Sequence, residues 1–278
     1  MSKLYKFISW EIAVIIFSWL FWRGFSRFAG EFSAGAGGAG SFSFSSGFTA
    51  DVVVYFLILA VVACLGIMFF GKIWQVLLSG ALAGGVFLLM ARLPAQTGFT
   101  EFNLAAVGIL LLFLFYARLN IVSESKERTK INARIILSRG LAPIILALLL
   151  MASLVIYQSP GVKALEKASK IPPAGEKFVN SVIENFIGNL IEGSPKEKQT
   201  VAKEISRQTI NQINAIAGPY FKFAPPVLTA ALFLMLWGFH GIFVWLGVLI
   251  GWPLFFVLKK AKFARIEERD TKAETLII

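Results

Sequence analysis

Apolar residues come in long blocks along this chain, and the blocks set its plan. Five of them, at 7–22, 51–70, 72–91, 102–116 and 141–157, are close to the length a helix needs to cross the roughly 30 Å hydrocarbon layer of a bilayer. A final apolar run, 223–258, is too long for one ordinary span and short for two. Gly238-Phe239-His240-Gly241 divides it into expected helices at about 226–237 and 242–258. One long polar interval, 158–222, separates the first five blocks from the last run. The pattern predicts an all-α polytopic transmembrane helical protein of six or seven spans. Its parts are an N-terminal membrane region (1–157), an extracytoplasmic amphipathic helical hairpin (158–222), C-terminal membrane helices (223–258) and a polar tail (259–278).

The polar interval has helical order of its own. Phe178, Val182, Phe186 and Leu190 recur every four residues, with Val179, Ile183, Ile187 and Ile191 beside them, which makes one broad apolar face. Gly193-Ser194-Pro195 ends that helix and starts another, 195–217, with Ser194 as N-cap and Val201, Ile205, Ile213 and Ile216 along one side. An apolar face on a hairpin outside the bilayer must be covered by its partner helix, by the membrane surface or by another protein. The interval is therefore the expected place for a protein partner.

Charge sets the orientation. Arg118, Lys126, Arg128, Lys130, Arg134 and Arg139 crowd the segment 118–139, with only Glu124 and Glu127 opposing them. The positive-inside rule puts that segment in the cytoplasm, against anionic lipid headgroups. Counting spans back from it puts Lys3, Lys6 and the N-terminus in the cytoplasm too, and counting forward puts 158–222 outside. The tail breaks this count: two spans in 223–258 place it outside, while Lys259, Lys260, Lys262 and Arg265 ask for the inside. One long tilted helix or a re-entrant member resolves the conflict. The simple charge pattern fits a plasma (inner) membrane.

Local features refine the blocks. Lys3 and Lys6 before a short apolar core, with Ser33-Ala34-Gly35-Ala36 downstream, resemble a signal peptide. Glu11, Arg23 and Arg27 favour a retained first helix instead, with Trp10, Trp19 and Trp22 near the interfaces. Residues 29–49 read as a Gly/Ser/Phe-rich linker without the Lys-Ser/Thr of a phosphate loop. Asp51 is placed to cap the second helix. Gly71-Lys72 makes the turn after it tight, so the second and third blocks form a hairpin. Pro143 is expected in the first turn of the fifth helix. Gly80-xxx-Gly84 and Gly247-xxx-Gly251 are small-residue faces on which helices approach closely, within one chain or between two.

Composition removes several functions. The chain is 57% hydrophobic and 15% charged, with a formal net charge of +11. Its basic residues collect at the ends of apolar blocks, so the charge speaks for lipid contact and against nucleic acid. A single cysteine, Cys64, permits no internal disulfide and no thiolate metal site, and a single histidine, His240, removes most histidine-based catalysis. HExxH, Gly-x-Ser-x-Gly and Walker motifs are missing, and no base lies in the blocks beside a serine such as Ser79. No cofactor is implied. Two ionisable residues inside apolar blocks are the candidates for function: Glu11, for proton or cation handling, and His240, at the break, as a gate or a turn at headgroup level. The expectation is a non-enzymatic membrane protein for binding, assembly or envelope organisation through 158–222. The alternative is a transporter or channel for a small solute, gated by the broken last run.

Overall fold

The computed structural model describes residues 3–37, 50–92, 101–127, 132–159, 162, 176, 179–180, 183, 195–217, 223–261 and 263. Eight long helices lie among them: α1 (Lys3–Gly37), α2 (Ala50–Phe69), α3 (Ile73–Arg92), α4 (Glu101–Glu127), α5 (Ala133–Gln158), α6 (Pro195–Ala217), α7 (Ala224–Gly238) and α8 (His240–Lys260). Six of these, α1 to α5 and α8, are long and apolar enough to cross a membrane, and the described residues contain no strand. The chain is an all-helical polytopic membrane protein.

The centre of the bundle is the pair α2 and α5. Both are apolar nearly all round, and a helix of that kind belongs inside other helices. Ala60, Val61, Cys64 and Leu65 of α2 and Leu137, Leu141, Ile145 and Met151 of α5 are fully enclosed. Around the pair, α1 packs on α2 and α3, α3 on α4, α4 on α5, and α8 on both α5 and α2. Apolar side chains turned away from this core, such as Leu89, Leu112, Trp245 and Val257, form the outer surface of the bundle, where lipid is their solvent.

Two ends can be told apart by contacts. At one end, Lys6 Nζ donates to the carbonyl of Phe263 (2.9 Å) and Arg118 Nε donates to the carbonyl of Gly71 (2.8 Å). Rings from Phe7, Trp10, Phe69, Phe70, Trp74 and Phe263 interlock there. This end gathers the start of α1, the α2–α3 turn, the end of α4, the start of α5 and the end of α8. At the other end Gln158 Nε2 donates to Asn103 Oδ1 (2.9 Å) and Phe102 meets Tyr157 edge-on. From Asn103 to Glu124 along α4 is 21 residues, about 31 Å at 1.5 Å per residue, the thickness of a hydrocarbon layer.

The final apolar run settles as one kinked helix. Only Phe239 separates α7 from α8, with φ −86° and ψ −5°. Its N–H donates to Leu236 O (3.1 Å), and its own carbonyl accepts from Ile242 and Phe243 (3.0 and 3.1 Å). Backbone hydrogen bonding thus passes through the break. At 15 residues α7 is about 22 Å long, short of a span, while α8 reaches about 31 Å. The run therefore adds one crossing. Six such candidate crossings return the chain to the end where it began, where Lys259 and Lys260 stand in the last turn of α8.

Several boundaries move outward from the hydrophobic blocks. α1 continues to Gly37, nine residues into the run read as a linker, because extending a formed helix gains a hydrogen bond for each residue added. α4 runs to Glu127 and α5 starts at Ala133, so the basic segment is mostly helix with five residues between. Pro143 accordingly lies eleven residues into α5 rather than in its first turn, buried, and it cannot donate to the carbonyl of Arg139. Asp51 sits within the first turn of α2, where a carboxylate favours the helix dipole. Of the three tryptophans of α1, Trp10 and Trp22 are buried in the bundle and Trp19 is exposed. Trp10 Nε1 donates to Val62 O (3.2 Å) across the hollow at Gly66, a partner more than fifty residues away in the chain.

Candidate functional site

Glu11 is a buried acidic side chain of α1. It lies on the face that also carries Val14, Ser18 and Trp22, and that face turns inward because Val14 and Trp22 fill the core. The carboxyl is 6% exposed. Ser79 of α3 donates its hydroxyl to Glu11 Oε1, whereas Oε2 has no hydrogen-bond partner. A buried acceptor left without a donor costs about 1–3 kcal/mol, and more when it is charged. One turn on from Ser79, the carbonyl of Ala83 accepts from Ser18 Oγ (3.2 Å).

A cavity of about 20 Å³, room for roughly one water molecule, opens on the Ser79 side of this pair, and Glu11 does not line it. Val14, Ser18, Ser79, Ala83, Leu110 and Ile144 are among the residues that line it, so it lies where five helices meet. Sequence reasoning finds Glu11 but leaves Ser79 without a base. The tertiary structure supplies the missing carboxyl, 68 residues earlier in the chain. The one available signal is periodic: Glu11 and Ser18 are seven residues apart, on one helical face.

His240 opens α8. Its Nε2 lies 2.9 Å from the carbonyl oxygen of Ala142, and since a carbonyl only accepts, Nε2 carries the hydrogen. Ala142 is sixteen residues before Gln158 on α5, about 24 Å along the helix. The kink thus rests on the first half of α5, well away from the Asn103–Gln158 end. Glu11 and His240 are held by different helices, α3 and α5, and no contact joins them.

The glycine faces are interior joints of this chain. A methyl group at Gly80 would lie 2.6 Å from Leu111 Cδ2, and one at Gly84 2.6 Å from Val107 Cγ1, so that face seats α4 against α3. Gly247 and Gly251 bring α8 onto Leu141 and Leu137 of α5 and onto Val61 of α2. Gly140 does the same for α5, with Cys64 Sγ and Ile121 Cδ1 each 2.7 Å from where its methyl would be. Of the expected hairpin face, Phe178, Val182, Phe186 and Leu190 lie outside the described residues, as do the tail residues from 264 onward. Glu176, Val179, Asn180 and Ile183 are helical, and α6 has the bounds that its sequence signals predict.

Among the described residues no three His, Cys, Asp or Glu side chains gather as a metal site. Comparison of the chain with protein-family models, curated proteins and solved structures finds no match.

Proposed function

We propose that this protein is a non-enzymatic membrane platform that holds the interval 158–222 on the extracytoplasmic side of a plasma (inner) membrane, where the interval binds or organises a protein partner. The observation that carries this reading is the distribution of charge over the two ends of the bundle. Lys6, Lys72, Arg118, Arg134, Arg139, Lys259 and Lys260, from five separate stretches of sequence, belong to one end, against Arg23, Arg27 and Arg92 toward the other, and Gln158, from which the interval departs, belongs to that other end. By the positive-inside rule the basic end is cytoplasmic and meets anionic headgroups, which puts the N-terminus inside and the interval outside. Within the interval, α6 leaves Val201, Ile205 and Ile216 exposed on a helix that is otherwise largely polar. Apolar side chains in that setting call for a cover.

The test is cross-linking from the interval. A photoreactive residue at Ile205 or Ile216 is expected to capture a discrete protein in intact cells, and replacing Phe178, Phe186 and Leu190 with polar residues is expected to abolish the capture. Adducts with lipid alone, or a capture indifferent to those replacements, would overturn the reading.

One observation favours a second reading, a solute transporter or channel. The α7–α8 kink is a single-residue joint, and His240 latches it to Ala142. Solute flux into proteoliposomes that changes with His240→Ala is the measurement that would support it.

A further inference from the structure

We propose that Glu11 and Ser79 form a proton-binding site inside the membrane region. The site goes beyond the platform role and does not depend on it.

Four observations carry the proposal. Glu11 is more than nine-tenths buried, although a carboxylate in an apolar bundle is among the least tolerated of side chains. Only one of its two oxygens is bonded, to a hydroxyl, which leaves Oε2 with capacity for a proton or for a water donor. No cation faces it from the packed helices. The only titratable groups on α2 are Asp51, Tyr55 and Cys64, and Cys64 turns its thiol to Leu137 O. α3 has none from Ile73 to Met90. On α5 the ionisable groups are Arg134 and Arg139 near the start and Tyr157 at the far end. On α1 itself, Lys6 Nζ bonds to Phe263 O and is engaged over its ring, and Tyr5 points outward. Finally, Ser79 and Ser18 both line a mostly apolar cavity of water size on the Ser79 side of the pair.

The chemistry is simple addition of a proton to the carboxylate, which gives a neutral acid with Ser79 still able to donate to Oε1. A sodium ion is the competing occupant. It wants several oxygen ligands at once, and the structure offers the Glu11 carboxyl and one adjacent hydroxyl.

The experiment uses the full-length protein in liposomes. Dicyclohexylcarbodiimide, an apolar reagent that attacks protonated carboxyls, is expected to modify Glu11, as read by mass spectrometry of the peptide that contains it. Modification is expected to increase as pH falls, to change several-fold in rate with Ser79→Ala, and to vanish in Glu11→Gln. Protection by sodium at constant pH would overturn the proton assignment. Equal modification by a water-soluble carbodiimide would overturn the buried site, as would carbodiimide reaching Glu101 or Glu176 while sparing Glu11. Should Glu11→Gln fail to accumulate, wild-type protein still decides: labelling of the Glu11 peptide by dicyclohexylcarbodiimide is expected to rise as pH falls. Absence of label from that peptide at every pH would end the proposal.

Discussion

Lys6 Nζ reaches the carbonyl of Phe263, 257 residues later, at 2.9 Å. That bond ties the first turns of α1 to the chain just past α8, and with Lys6 lying 5.3 Å from the Phe263 ring centroid it fixes both on one side of the bilayer.

Sidedness follows directly. With Cys64→Ala as background, single cysteines at Lys3 and Thr275 are expected to react with an impermeant thiol reagent only after lysis, and one at Ser194 in intact cells. A Thr275 cysteine that labels from outside would mean that the last run crosses twice.

Glu124 is buried to 1% exposure, and its Oε2 meets Arg139 Nη1 at 2.8 Å, joining the end of α4 to the start of α5. Arg139 is half exposed, so solvent screens the pair and its worth is modest. Removing the arginine takes a charged donor from a buried acid, at about 1–3 kcal/mol. Arg139→Ala is expected to destabilise the protein more than Glu124→Gln, and the double variant to recover part of the loss, measured by unfolding in mixed micelles.

The far end of the same hairpin depends on a neutral pair. Gln158→Leu removes this hydrogen bond to Asn103 Oδ1 and is expected to cost about 0.6–2 kcal/mol, typical of an interhelical hydrogen bond in a membrane. Joint replacement of Asn103 and Gln158 by leucine is expected to come closer to wild type than either single change.

Gly84 and Gly85 are neighbours with opposite roles. A side chain at Gly84 meets Val107, whereas one at Gly85 finds nothing within 4 Å. Gly84→Val is expected to cost about 1–3 kcal/mol of overpacking, partly relieved by Val107→Ala. Gly85→Ala is expected to be neutral or slightly stabilising, through higher helix propensity. Thermal unfolding of the three variants distinguishes the two positions.

The sequence alone determined that the chain is a polytopic helical membrane protein, where its helices lie and which of its segments are basic. Apolar blocks are local signals: a segment of about twenty residues is either apolar enough for lipid or it is not, whatever surrounds it. Gly193-Ser194-Pro195 and Gly218-Pro219 bound α6 for the same reason, since caps and breakers act within one turn. Block edges were less legible, because Arg118–Glu127 and Ala133–Gly140 extend their helices past the apolar stretch while looking like a loop by charge.

Only the tertiary structure decided what those helices do to one another. Whether 223–258 crosses once or twice turned on the backbone of one residue, Phe239, and on the contact of Phe263 with Lys6. Trp10 and Trp22 lie inside because α2 and α3 supply Gly66 and Phe87 to receive them. Glu11 met Ser79 because α1 and α3 pack side by side, although α2 separates them in sequence. In lipid every apolar surface is soluble, so hydropathy does not say which face turns inward. That is chosen by the fit of side chains into the hollows of neighbouring helices, and such a fit exists only once the chain has folded.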